Sequence, residues 1–274
     1  MANVIAVAIP KGGVGKTTTA VNLAASLAIN DYRTLLIDMD TSGAAGLSLG
    51  FTEANTKAGV YEVFNFITGL TSAIHPTEIA NLHVVPANVH TLLREERLMK
   101  LADNRLILKN YLRAIARDYD YVIIDCPPFL RGLTTNALTA ADSVLVPVKP
   151  GHFALDAVDK FFKYVDWVRE VANKSIQIEG ILITSDEAHS KTSEITHREL
   201  LSKYRKHMFE TSIPKSSALA EACFYGKPAL QYDINSPGAT AYLTLAREIT
   251  GKEIPIDKVI PPKLEIVHPL SQQA

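Results

Sequence analysis

The sequence predicts a single doubly wound α/β domain built on a mostly parallel sheet, with helices on both faces. Two observations carry this. Short apolar, β-branched runs at 4–9, 34–37, 82–85, 121–124, 143–148 and 178–183 are hydrophobic nearly throughout, as strands covered on both faces are. Longer stretches of helical period separate them, at 17–29, 59–68, 103–117, 134–140, 154–172 and 194–207, with two more at 216–223 and 238–249. Strand and helix in alternation give parallel crossovers. No linker, repeat or low-complexity stretch divides the chain, so residues 1–250 form one domain. The segment 251–274 carries Pro255, Pro261, Pro262 and Pro269 and reads as an extended tail.

Composition sets the outer limits. With 47% hydrophobic and 21% charged residues, the 274-residue chain can bury a substantial core. Its net charge of −1 gives no global attraction to nucleic acid or anionic lipid, so any such binding needs a local patch. Cys126 and Cys223 make neither a disulfide framework nor a CxxC metal pair. No apolar run reaches the ~20 residues that span a bilayer, and the N-terminus lacks a signal segment. The expectation is a cytoplasmic protein.

The densest chemistry lies between the first strand and the first helix, in Lys11-Gly12-Gly13-Val14-Gly15-Lys16-Thr17-Thr18. Glycines let backbone N–H groups curl around phosphate oxygens, and the following helix adds a favourable dipole for anions. Lys16 is placed to reach the β- and γ-phosphates of a nucleotide, and the Thr17 hydroxyl to ligate Mg²⁺. The ordinary phosphate-loop pattern has a glycine five residues before Gly15, the position held here by Pro10. This chain instead opens the loop with Pro10 and a second lysine, Lys11.

Two further strand ends carry acids. Asp38 and Asp40 close the run 34–37, and Asp125 closes 121–124. Ligands of open α/β sheets sit beyond the carboxyl ends of the strands, so all three acids are expected to converge on the phosphates.

Lys11–Thr17 resembles, at every position, the K-G-G-x-G-K-[ST] signature of the ParA/MinD family of deviant Walker A P-loop ATPases. The likeness runs over roughly residues 2–250 and is nearest to the small ParA/Soj-type partition ATPases. It implies ATP and Mg²⁺ as cofactors, and a homodimer that sandwiches two ATP molecules, with Lys11 contacting the nucleotide of the opposite subunit. Asp125 resembles the Walker B acid that holds Mg²⁺ through water, Asp40 resembles the aspartate that orients the attacking water, and Asp38 supports the metal. The segment Asn136–Asp142 resembles the helix that follows the second switch. Thr184–Asp186 and Pro214 fall where the family holds adenine. The chain departs from the family after Asp40, where Thr41-Ser42-Gly43-Ala44 stands in place of Pro-Gln-Gly-Asn.

The resemblance further implies non-specific DNA binding by the ATP dimer, hydrolysis stimulated by a ParB-like or other partner, segregation of DNA or positioning of a cargo, and association with the nucleoid. Arg198, Lys203, Arg205 and Lys206 fall in one helix candidate; they read either as a stripe toward phosphate or as an ordinary solvated face. Two other readings share the fold. One is a MinD-like membrane-cycling regulator, against which the proline-broken tail argues. The other is a metabolic ATP-dependent enzyme, against which Lys11 argues. Iron-protein relatives need cysteines the chain lacks, and larger partition ATPases carry an extra region ahead of the loop.

Overall fold

A computed structural model describes residues 2–115, 117–187 and 190–252. The proline-rich tail lies outside the described residues beyond Lys252. In chain order the elements are β1 (Asn3–Val7), α1 (Lys16–Ile29), β2 (Thr34–Asp38), α2 (Ala44–Leu47), α3 (Val60–Phe64), β3 (His75–Pro76), β4 (Leu82–Val85), α4 (Leu92–Leu101) and α5 (Ile107–Ile115). They continue with β5 (Tyr121–Asp125), α6 (Leu133–Ala140), β6 (Ser143–Val148), α7 (Ala154–Val171), β7 (Gln177–Ile183), α8 (Lys191–Tyr204), α9 (Ser217–Phe224), α10 (Ala229–Tyr232) and α11 (Pro237–Thr250). Single 3₁₀ turns cover Leu70–Ala73 and Arg205–His207.

The seven strands form one sheet in the order β3-β4-β2-β5-β1-β6-β7, parallel except for β3. Side chains alternate between its faces. Val4, Ala6, Leu35, Ile37, Val122 and Ile124 pack under α3–α8 on one side. Ile5, Val7, Leu36 and Ile123 pack under α1 and α9–α11 on the other. Burial on both faces is why these strands read as continuous apolar runs rather than alternating ones.

All six anticipated strands are present, with ends displaced by at most two residues. The two-residue antiparallel β3 was not anticipated. Both edges of the sheet are blunted: on one side the edge strand β3 is only two residues long and ends on Pro76, which has no N–H to donate. Along β7 the segment 208–213 pairs instead, with Phe209 N–H donating to Ile181 O at 3.1 Å and Ile213 N–H to Ile183 O at 2.8 Å.

Several helices correct the sequence reading. The stretch 103–117 contains only α5 as helix, and 59–68 shrinks to α3. The stretch 194–207 splits, α8 stopping at Tyr204 so that Arg205 and Lys206 sit on a separate 3₁₀ turn. Helices α2, α4 and α10 were missed. In α4 only Leu98 is buried, while Leu92 and Leu93 face solvent, so no apolar stripe announced it. Its start was nevertheless legible: the Thr91 hydroxyl caps the helix by accepting from Arg94 N–H at 3.3 Å.

Candidate functional site

The loop after β1 is shaped by left-handed glycines, Gly13 at φ +68° and Gly15 at φ +82°. Gly15 caps α1, and the first helical bond runs from Thr19 N–H to Gly15 O at 2.8 Å. Among the described residues, the N–H groups of residues 12–18 donate to no protein acceptor. The loop therefore presents a concave run of free donors at a helix N-terminus, the arrangement that receives phosphate. Thr184 clamps it from outside, its hydroxyl donating to Val14 O at 2.8 Å.

Lys16, the first residue of α1, is nearly buried and folds back so that Nζ donates to Lys11 O at 2.8 Å. Burial lowers its pKa, while the carboxylates of Asp125 and Asp40 pull the other way. A partly desolvated cation held by a single carbonyl is poised for a stronger anionic partner.

Parallel pairing sets the acids. Asp38 lies in register with Asp125 on the neighbouring strand, and Asp125 with Val7 at the end of β1. Both carboxyls are fully buried. Asp38 is engaged by backbone: Oδ2 accepts from Gly46 N–H at 2.9 Å and Oδ1 from Asp40 N–H at 3.2 Å. Burial nonetheless pushes its pKa up to about 7, with the charge of Asp40 adding to the effect. Asp125 is raised well above the usual carboxylate range, first by burial and then by Asp38, against the opposing pull of Thr17 and Lys16. Neither of its oxygens has a well-formed hydrogen bond. Two orphaned carboxylate oxygens in a buried site cost several kcal/mol by the usual scale. A hydrated divalent cation beside Thr17 removes that cost, so the donor set fits Mg²⁺.

Asp40 is half-buried beyond the end of β2, where its Oδ1 accepts from Ser42 N–H at 3.0 Å. The Thr41 hydroxyl donates to Glu95 on α4 at 2.7 Å.

Behind the loop lies a cavity of about 440 Å³ that Gly15, Thr18, Thr184, Pro214, Leu219 and Tyr242 help to line, within the size range of small-ligand pockets. The structure thus brings Pro214 into one space with the phosphate loop. Sequence reasoning missed its far wall, formed by α9 and by Tyr242, whose hydroxyl meets Thr19 at 3.1 Å. No local motif marks those residues, because they reach the site only through packing of the C-terminal helices. The same wall touches the segment just after α2: Cys223 lies 3.6 Å from the Ser48 hydroxyl, and a Cβ on Gly226 would come within 2.9 Å of Gly50 Cα. Cys126, next to Asp125, is fully buried, its thiol pushed up mainly by burial.

Arg198, Lys203, Arg205 and Lys206 are exposed. They form no free stripe, since Lys203 is paired with Asp159 of α7 at 2.5 Å and two of the others lie past the end of α8. Among the described residues, no helix is long and apolar enough to cross a membrane.

Comparison with known proteins agrees with this geometry. A family model described as an AAA domain matches residues 2–178. The chromosome partitioning protein ParA of Myxococcus xanthus is 40% identical over 252 residues, covering 92% of this chain and 89% of its own. The sporulation initiation inhibitor protein Soj of Bacillus subtilis is 39% identical, covering 92% and 99%. Among solved structures, the cobyrinic acid a,c-diamide synthase of Mycobacterium smegmatis with bound ATP analog and magnesium superposes with a TM-score of 0.77 at 30% identity, over 93% of this chain and 99% of that one. A lysine-opened phosphate loop, paired strand-end acids and likeness across nine-tenths of the length place one conclusion beyond the fold alone: the chain belongs to the ParA/MinD family of P-loop ATPases.

Proposed function

We propose that this protein is a partition-type ATPase that binds MgATP, dimerises around it, binds duplex DNA without sequence preference in that state, and is released by hydrolysis. The observation that carries the reading is the pair of orphaned Asp125 oxygens facing a loop of free N–H donors with Lys16 folded over it. A magnesium–triphosphate unit satisfies both halves of that arrangement at once. The names of the 39–40% identical relatives support the partition role.

In this reading Gly12, Gly13, Val14, Gly15 and Thr18 cradle the phosphates through their backbone, and Lys16 neutralises the terminal ones. Thr17 and Asp125 hold Mg²⁺, which supplies charge neutralisation at the γ-phosphate. Asp38 is a supporting group, because both its oxygens are already taken by backbone N–H groups. Asp40 orients the attacking water, Pro214 borders the base, and Lys11 reaches the partner's nucleotide. Catalysis is positioning and electrostatic stabilisation of an in-line attack, with no covalent intermediate. A ParB-like or other partner stimulates it.

The deciding experiment is binding to long duplex DNA with ATP, ADP or no nucleotide, with Lys16→Ala as control. Salt-sensitive binding confined to ATP supports the reading; indifference to DNA in every state overturns it. The likeness to the synthase gives a second reading specific content, an ATP-dependent small-molecule enzyme. That reading requires turnover that neither DNA nor dimerisation affects.

A further inference from the structure

The strongest concentration of charge lies away from α8. Between residues 97 and 117 the chain carries Arg97, Lys100, Arg105, Lys109, Arg113 and Arg117 against a single acid, Asp103, in a protein whose net charge is −1. Among the described residues none of the six enters an ion pair or a side-chain hydrogen bond, whereas Lys203 of α8 is already neutralised by Asp159. All are exposed except Lys109, which is half-buried.

Their spacing is regular. Arg105, Lys109, Arg113 and Arg117 recur every four residues along and just beyond α5, so Lys109 and Arg113 share its outer face. Four residues advance ~6 Å along a helix, close to the ~7 Å that two nucleotides rise along one DNA strand. The opposite face of α5 is fully committed to the core through Ile107, Leu108, Leu112 and Ile115. The apolar face of α5 is therefore used up, and what α5 offers outward is cationic. The exposed Leu106 and the Leu92 and Leu93 pair stand at the ends of the patch as isolated side chains, not as a continuous apolar face. That combination fits a phosphodiester backbone better than a lipid surface.

The patch is also wired to the nucleotide site. Asn136 of α6, fully buried, donates to Ala102 O at 2.7 Å and accepts from Leu108 N–H at 3.4 Å. It thereby fixes the α4–α5 junction to the helix that follows the Asp125 loop.

We propose that the outer face of α4–α5, centred on Lys109 and Arg113, is the surface through which this protein contacts the DNA backbone. The proposal rests on the DNA-binding reading above and adds the location, which differs from the α8 residues singled out in the sequence.

The test is titration of duplex DNA by the ATP-bound full chain over a range of salt. Lys109→Gln/Arg113→Gln/Arg117→Gln is compared with Arg198→Gln/Arg205→Gln/Lys206→Gln, and Arg97→Gln/Lys100→Gln is a second probe of the same face. The first variant is expected to lose at least about ten-fold in affinity near 100 mM salt and to flatten the log–log salt slope by about three. Melting temperature and basal ATPase activity remain those of the wild type, and the Lys109→Arg/Arg113→Lys/Arg117→Lys chain binds normally. Wild-type binding by both α4–α5 variants, with loss confined to the α8 variant, overturns the surface and leaves the DNA reading standing. A wild-type chain indifferent to DNA overturns both. Loss of binding to phosphatidylserine vesicles with DNA binding intact assigns the face to membrane and sinks the proposal.

Discussion

The Thr41 hydroxyl donates to the Glu95 carboxylate at 2.7 Å, tying the residue after Asp40 to helix α4. Thr41 stands where the family pattern has proline, a residue that stiffens the loop through its own ring. Here the stiffness comes from outside. Arg94, next to Glu95, reaches Glu62 at 3.4 Å and Asn88 O at 3.2 Å, so α4 is itself anchored to α3 and to the strand-end loop after β4.

Removing this tie should slow turnover without weakening nucleotide binding. Thr41→Val and Glu95→Ala are each expected to lower kcat by about five-fold, the worth of roughly 1 kcal/mol of hydrogen bonding to a charged group that is partly exposed. The double variant should be no slower than either single one. Additive losses in the steady-state rates count against a direct coupling between the two residues.

Lysines 11 and 16 should separate binding from assembly. Lys16→Ala is expected to abolish ATP binding in a fluorescent-nucleotide titration. Lys16 leans on the main-chain carbonyl of Lys11, so Lys11→Ala leaves that contact in place. It should bind ATP as a monomer and fail to dimerise in light scattering; a normal ATP dimer refutes the role across the interface.

Asp40→Ala should have the opposite signature. If Asp40 orients the attacking water, its loss with the phosphate loop intact is expected to let the ATP dimer persist for hours by size exclusion. Turnover at the wild-type rate rules Asp40 out of that role.

Acid–base linkage at Asp38 has a definite sign. Its folded-state pKa of about 7 lies above the ~3.9 of an unfolded aspartate. The folded protein keeps a proton that the unfolded chain has released, so stability falls as pH rises from about 4 to about 7 and levels off above. Asp125 is shifted in the same direction. Urea midpoints of the nucleotide-free protein should drop across that window, and Asp38→Asn should shrink the drop. A midpoint that climbs toward neutral pH contradicts the assignment.

At Gly226 the backbone is left-handed, at φ +61°, and a Cβ would meet Gly50 Cα at 2.9 Å. Gly226→Ala is therefore expected to destabilise the protein by about 1–3 kcal/mol. On the proposed reading it should also weaken ATP binding, because α9 just before Gly226 walls the cavity behind the phosphate loop. Thermal melting with and without nucleotide checks both effects.

How much of this was legible in the sequence depended on the range of the forces involved. The loop 11–18, Asp38 and Asp125 could be read because short segments dictate them: glycines at fixed offsets, and apolar strands ending in an acid. The six parallel strands were visible because burial on two faces leaves unbroken hydrophobic runs. Tyr242, Leu219 and Glu95 were not legible. Each reaches the site through packing of elements far apart in the chain, and none belongs to a local pattern. The charge at Lys109 and Arg113 was written in the sequence all along. It became informative only when the structure showed that those cations lack partners among the described residues and that Lys203 has one.

Both margins of the sheet are blunted, by the short β3 ending in Pro76 on one side and by the 208–213 segment on the other. Among the described residues, two copies of the chain therefore have little strand backbone with which to extend one sheet into the next. Any association between copies is then left to side-chain contacts, which can be made and broken. Blunted edges of this kind are a safeguard against fibrous aggregation, the irreversible outcome of open strand edges.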